Sequence, residues 1–319
     1  MVQTIQSSKS ESFPLVTVGI PTFNRPDGLR RTLDCICNQA YTNLEIIVSD
    51  NCSTDPAVKA SLDSYALDSR VRIVIQKENI GAFNNFKFLL REATGQYFMW
   101  AADDDEWSPE FIEKGLATIN GHSGFFSGMN IHYRKSRGMI ACPSKPLGEG
   151  TYTQSLNFIQ NFNSSMFYSI HRLEDIIWFA EENVMPFDWS DSYVVLTNIL
   201  NRSGYAYLHD ESLYTLGVDD DEYVFKPTNP KNGRMFEYRP FFVYCLRQII
   251  RSKQVTLRQK ISLSVSLSIS LIKLFEVYEK QRKHYLRLIP FMRMYCRLIH
   301  LISRCKSRIG ALKSRLVPL

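Results

Sequence analysis

The 319-residue chain contains no run of about 20 apolar residues, so a membrane-spanning helix is not expected. Residues 1–13 are polar and lack the apolar stretch of an export signal. A G-x-x-x-x-G-K-[ST] phosphate loop is absent, and with it the usual ATP site. No internal repeat is found. Cysteine is sparse and unpatterned: of seven, only Cys35 and Cys37 are close, with no histidine or second cysteine pair to complete a zinc site. The cysteines read as reduced thiols of a cytosolic protein.

Acidic residues are nearly absent from one region. Residues 247–319 hold 17 Lys or Arg against Glu276 and Glu279 alone, within a chain of net charge +6. The rest of the chain is therefore net acidic, and the asymmetry points to two jobs. The hydrophobic fraction of 45% and the length suit one large domain or two modest ones.

What is present is an alternation. Short β-branched or apolar runs at 15–20, 44–50, 70–76 and 97–102 are separated by stretches with helical spacing at 27–39, 55–65 and 83–93. Another helical stretch follows at 108–119, with Ser108 as its expected N-cap and Pro109 at the first helical position. Near-continuous apolar strands alternating with helices imply a mostly parallel sheet covered on both faces. Ligands of such sheets sit outside the carboxyl ends of the strands. Those ends read PTFN (21–24), SDNCSTD (49–55) and DDD (103–105), so three polar groups are expected around one crevice.

Further along, 121–153 reads as irregular. A strand is predicted at 164–170, helices at 172–182 and 190–204, and a short strand at 205–208. The 261–271 stretch, ISLSVSLSISL, alternates like a strand, although its neighbours favour helix. The acidic 218–225 segment is read as a solvated loop, with lid formation as the alternative.

Asp103, Asp104 and Asp105 repel one another unless something offsets their charge. Clustered hard oxygens suit Mg2+ or Mn2+, held by one or two carboxylates plus substrate phosphates. The plain alternative is a solvated acidic turn that favours the N-terminus of the following helix by roughly 0.3–1 kcal/mol. Asp50 at a strand end can accept hydrogen bonds from a base or ribose edge; Asp55 reads as a helix cap.

PTFNR (21–25), SDNCSTD (49–55), ENIG (78–81) and GQYFMWAADDDEW (95–107), in that order, resemble the amino-terminal half of glycosyltransferase family 2. The likeness covers 15–120, with looser support to 216. It implies a GT-A (Rossmann-like) nucleotide-sugar-binding domain. By that resemblance Pro21, Thr22 and Phe23 contact the nucleoside, Asp50 the base and Asp103 the ribose. Asp104 becomes the metal ligand, with Asp105 as helper. Asn79, Gly81, Asn85 and Arg25 fall among the donor-binding positions, and Lys87 is a second candidate for the diphosphate. Two positions depart from the family pattern: Ala102 stands where the first acid of D-x-D-D is usual, and Asn84 where arginine is common. The general base of the family aligns with Asp191, with Asp188 as rival.

The resemblance therefore implies an inverting, Mn2+- or Mg2+-dependent transferase. It would move sugar from a nucleotide diphosphate sugar to a glycan or lipid-linked acceptor, in surface polysaccharide or lipopolysaccharide synthesis. A GT-A domain is expected over 15–216, and a basic helical region over 234–319. That region would either meet an anionic membrane surface or pack on the catalytic domain. The expected location is the cytoplasmic face of the membrane; nucleic acid is not an expected partner. The rival readings are a catalytically degenerate nucleotide-sugar binder or scaffold of the same fold, and nucleotidyl transfer. PTFNRPDG lacks the glycine- and lysine-rich loop that nucleotidyl transfer usually needs.

Overall fold

The apolar 15–20 run becomes β1 (Val16–Thr22), buried along its whole length. In the computed structural model, which describes residues 13–135, 138–182, 190–218 and 235–279, it leads into α1 (Pro26–Cys37). Pro26 opens that helix and Leu29, Leu33 and Ile36 bury one face of it. Next come β2 (Leu44–Asp50) and α2 (Pro56–Asp63), whose N-cap Asp55 accepts from the Ala57 N–H at 2.9 Å. β3 (Val71–Ile75), α3 (Ala82–Glu92) and β4 (Tyr97–Trp100) complete the predicted alternation.

The second half of the sheet departs from expectation. After β5 (Glu106–Trp107) and α4 (Phe111–Ile119), the stretch read as irregular forms a hairpin, β6 (Gly124–Tyr133) and β7 (Gly138–Cys142). Helix α4 starts later than predicted. Its first N–H, from Phe111, goes to the Ser108 carbonyl at 3.0 Å, so Ser108 serves through its backbone rather than its hydroxyl. α5 (Thr151–Asn161) follows. The predicted strand at 164–170 is instead a 3-10 turn over Ser164–Tyr168, because Phe167 stacks on Trp100 at 4.1 Å rather than joining a ladder. β8 (His171–Arg172) is two residues long, and the single helix expected at 172–182 is two one-turn helices, α6 (Leu173–Ile176) and α7 (Trp178–Glu181). Then come α8 (Ser190–Asn201), β9 (Tyr205–Val218), α9 (Met235–Arg251) and α10 (Leu257–Glu279).

The sheet order is β3-β2-β1-β4-β8-β6-β9-β5, with β7 added on β6. β3, β2, β1 and β4 are parallel. β8 then runs antiparallel to β4 and to β6, while β6 and β9 are parallel to each other. The sheet is therefore mixed rather than mostly parallel. Its hinge is His171, fully buried between Phe98 and Gly124. Nε2 of His171 lies 3.0 Å from the Phe167 carbonyl, which only accepts, so Nε2 carries the proton and Nδ1 accepts from the Tyr205 hydroxyl at 3.2 Å. Burial lowers its pKa to about 4, so the imidazole stays neutral.

The described residues fall into two units. The first lies within 1–146, 165–184 and 205–223 and carries the sheet; the second lies within 147–164, 185–204 and 224–319. The core of the first packs Val16, Val18, Ile20, Ile46 and Val48 against Leu29, Leu33 and Ile36, all fully buried. Each such side chain contributes roughly 1.5–3 kcal/mol. The second unit packs α5, α8, α9 and α10 together, so α5 and α8 join helices far along the chain. The serine-alternating stretch is helical, within α10. Leu263, Leu267 and Leu271 bury one face at intervals of four, while the Ser264 and Ser268 hydroxyls donate to the carbonyls of Lys260 and Ser264, both at 2.8 Å.

Candidate active site

Register places the first two strand ends side by side: Thr22 on β1 pairs with Asp50 on β2. Beyond them, the loops are tied by Asn24, a residue the motif reading passed over. Asn24 adopts a left-handed φ of 54°, which asparagine tolerates better than most side chains. Its Oδ1 accepts from the N–H groups of Thr54 and Asp55 at 2.8 and 3.0 Å, and its own N–H donates to Ser53 Oγ at 2.9 Å. Asp50 is buried, with Oδ1 accepting from the Ser53 N–H at 3.0 Å and the Ser53 hydroxyl at 2.5 Å. Pro21 and Thr22 are buried, whereas Phe23 is 40% exposed at the rim.

Of the three aspartates after β4, Asp103 and Asp104 share Arg25 and Asp105 turns away from them. Asp103 turns back to β1: Oδ2 accepts from the Thr22 hydroxyl at 2.8 Å and Oδ1 from Arg25 Nη1 at 3.3 Å. Asp105 turns to β9: Oδ2 accepts from the Tyr214 hydroxyl at 2.5 Å and Oδ1 from the Gly217 N–H at 2.9 Å. Asp104 is the most open, its side chain 28% exposed, and its Oδ2 meets Arg25 Nη1. Its carbonyl accepts from Arg134 Nη2 at 2.7 Å, and Arg134 also reaches Glu106 at 2.9 Å. Within the chain itself, then, the repulsion is offset by divergence and by Arg25. Burial works against the Arg25 charge, but Asp104 and Asp103 more than make up for it.

Two glycines let this turn sit where it does. A Cβ on Gly28 of α1 would lie 2.1 Å from the Asp103 carbonyl oxygen, and one on Gly217 of β9 would lie 1.9 Å from that of Asp104. Thr32, also on α1, has its hydroxyl 2.9 Å from the Ala102 carbonyl and 3.1 Å from that of Asp105. A glycine inside a helical pattern costs about 1 kcal/mol against alanine and usually has a packing reason, which is the signal that could have singled out Gly28.

Burial raises the Asp103 carboxyl to about 6, with Arg25 pulling the other way, and raises that of Asp105 to about 8, with Asp104 adding to the rise. Folding thus favours the protonated acid. The stability from Asp105 is complete below the ordinary carboxyl range near 4 and is lost as pH rises through about 8. Asp105→Asn preserves both hydrogen bonds, because its amide donates to the Tyr214 oxygen and accepts from Gly217. Thermal melts in chelator should therefore show the parent losing stability between about pH 4 and 8 relative to Asp105→Asn. Parallel curves would refute that assignment.

Among the described residues no group of three or more His, Cys, Asp or Glu comes together to hold a metal. The donor set nonetheless fits a divalent cation of the Mn2+ or Mg2+ type. Asp103 Oδ1 and Asp104 Oδ2 already converge on one positive group, and hard cations of this kind are held by one or two carboxylates with phosphates completing the shell.

Other candidate positions have partners within the fold. Asn79 Oδ1 accepts from Asn51 Nδ2 and from the Gly81 N–H, both at 2.9 Å. Gly81 supplies the positive φ of 81° that starts α3. Asn85 is buried and exchanges hydrogen bonds with Ser49 at 2.6 and 3.0 Å. Lys87 donates to the Glu182 carbonyl at 2.7 Å and lies over the Phe83 and Phe179 rings; burial lowers its pKa. In the second unit, Asp191 occupies the first turn of α8, with Oδ1 accepting from the Ser192 N–H at 2.6 Å. Desolvation pushes its carboxyl up to about 6. Asp188 and the 219–221 acidic cluster lie outside the described residues.

A mixed sheet whose parallel half ends in Asp50 and an acidic turn is a GT-A-like, Rossmann-type arrangement. Residues 17–171 match the model of the family described as Glycosyl transferase family 2. The chain is 33% identical over 115 residues to a candidate teichuronic acid biosynthesis glycosyltransferase, TuaG, of Bacillus subtilis, a match covering 36% of this chain and 45% of that one. It is also 33% identical over 138 residues to an uncharacterized glycosyltransferase of Haemophilus influenzae, covering 42% and 43%. The match thus spans less than half the length of these curated relatives. Among solved structures, S. aureus TarS 1-349 in complex with UDP-GlcNAc superposes with a TM-score of 0.63 at 17% identity, covering 86% of this chain and 77% of that one. At that identity the likeness is one of fold.

Proposed function

We propose that the chain is a metal-dependent, inverting glycosyltransferase that moves a sugar from a nucleotide diphosphate sugar onto a glycan or lipid-linked acceptor. The observation that carries this reading is the alignment of Asp50 with its register partner Thr22, whose hydroxyl is hydrogen-bonded to Asp103, with Asp104 and Arg25 at the open end. In this reading Pro21, Thr22 and Phe23 flank the nucleoside, Asp50 accepts from the base and Asp103 from the ribose. Asp104, helped by Asp103, holds the cation, while Asp105 fixes the turn through Tyr214 and Gly217. A divalent cation held there supplies positive charge to the leaving diphosphate. Asp191 takes the proton from the acceptor hydroxyl, which then attacks the anomeric carbon from the face opposite the leaving group.

Relatives concerned with teichuronic acid and colanic acid biosynthesis support a place in surface polysaccharide assembly. The basic 247–319 region would serve that work by holding the protein to anionic headgroups on the cytoplasmic face. No helix among the described residues is long and apolar enough to cross a membrane.

The test is a thermal-shift panel of nucleotide sugars with and without Mn2+. A donor at 100 times its Kd stabilises the fold by about 2.7 kcal/mol. In a unit of this size that corresponds to a rise in Tm of about 5 °C or more. One nucleotide should give this rise with Mn2+ and a smaller one in chelator. A flat panel would overturn the reading; a shift without turnover on any acceptor would favour a binding protein of the same fold.

A further inference from the structure

Arg25, a donor-binding candidate by the sequence, is engaged instead with the two carboxylates of the metal reading. Its guanidinium takes one oxygen from each of Asp103 and Asp104, the two carboxylates best placed for a cation. Its backbone is fixed: Pro26 starts α1 immediately after it, its carbonyl accepts from the Leu29 N–H at 3.0 Å, and Asn24 before it is tied to the second loop. Its side chain is not fixed in the same way. It is 51% exposed, and Asp103 and Asp104 are the only acidic partners it meets among the described residues. A fixed pivot with a half-exposed, long, charged arm can exchange partners without moving the fold.

We propose that Arg25 is an internal counter-ion that stands in the cation's place on Asp103 and Asp104 in the unliganded protein and transfers to the diphosphate when donor and cation arrive together. This rests on the nucleotide-sugar reading above. Three charges decide the exchange. A cation arriving alone must displace a guanidinium that then has only water to meet. A cation arriving with a diphosphate brings Arg25 a new anion, which the planar fork of arginine can take with two hydrogen bonds. Arg25 thus penalises the bare ion and rewards the complete donor, making metal and nucleotide binding mutually dependent.

Mn2+ binding to the full chain, followed by electron paramagnetic resonance of the free ion, tests this without any turnover. Without nucleotide, Arg25→Gln should bind Mn2+ about 10-fold more tightly than the parent. With saturating UDP as probe the order should reverse, the variant holding Mn2+ about 10-fold more weakly. Lys59→Gln removes one positive charge from an exposed pair on α2 and should change neither value, separating a local exchange from a general charge effect. Adding Asp104→Asn to Arg25→Gln should abolish the gain. Equal Mn2+ affinity of parent and Arg25→Gln without nucleotide would overturn the inference, as would a gain that survives loss of Asp104. These outcomes differ from failure of the function itself, which would appear as no nucleotide shift in the parent.

Discussion

Asp191→Asn should lower kcat for sugar transfer by about 10²- to 10⁴-fold, the contribution expected of a positioned general base. Asparagine has nearly the same shape and can still accept from the Ser192 N–H, so the first turn of α8 should persist. Donor affinity should therefore stay within about twofold of the parent, because the loss falls on the chemical step alone. The pH profile provides a second readout. A base works only when deprotonated, and desolvation pushes the Asp191 carboxyl up to about 6. The parent's kcat should accordingly be present above that pH and fall away below it, with a limb centred near 6. The residual rate of Asp191→Asn should lack that limb. A variant that turns over within fivefold of the parent, or that loses donor binding in proportion to rate, would remove Asp191 from the role and leave Asp188 as the carboxylate to test.

The parallel half of the fold was legible because β1, β2 and β4 are buried on both faces and so read as near-continuous apolar runs, each ending on a polar cluster. The antiparallel half was not. β6 begins buried and ends half-exposed, so no single period runs through GFFSGMNIHY, and its glycines mimic a loop. The 164–170 run was misread for the opposite reason: its apolar residues serve an aromatic cluster around Trp100, and composition alone does not tell a ladder from a packed turn.

At the site, sequence order brought out the carboxylates but not their directions. Asp103, Asp104 and Asp105 are adjacent letters, yet Arg25 gathers the first two while Tyr214 draws the third away. Asn79 and Asn85 illustrate the converse. Their positions fit a donor-binding pattern, but their amides hold Asn51 and Ser49, supporting the strand end that presents Asp50. Which partner a polar side chain chooses depends here on residues 28 to 109 positions away, and no local pattern encodes that.

Gly28→Ala should weaken binding of UDP with Mn2+ by about 100-fold, although it adds only a single methyl group to α1. Two effects compete. Alanine is the better helix former, by about 1 kcal/mol in an exposed helix interior. The added Cβ, however, would lie 2.1 Å from the Asp103 carbonyl oxygen, a distance no carbon tolerates against backbone. Helix α1 cannot give way easily, since Leu29, Leu33 and Ile36 are fully buried in the core. The acidic turn must move instead, by about 1 Å, and a displacement of that size costs on the order of 10²-fold where geometry is critical. Overpacking of this kind also costs about 1–3 kcal/mol of stability, so the gain in propensity is outweighed. Gly217→Ala approaches the same turn from β9, where its Cβ would lie 1.9 Å from the Asp104 carbonyl oxygen, and should produce the same loss. Calorimetric titration of both variants with UDP and Mn2+, beside their melting curves, settles the matter. If Gly28→Ala binds within threefold of the parent and melts no lower, the turn yields freely and its position does not govern donor binding.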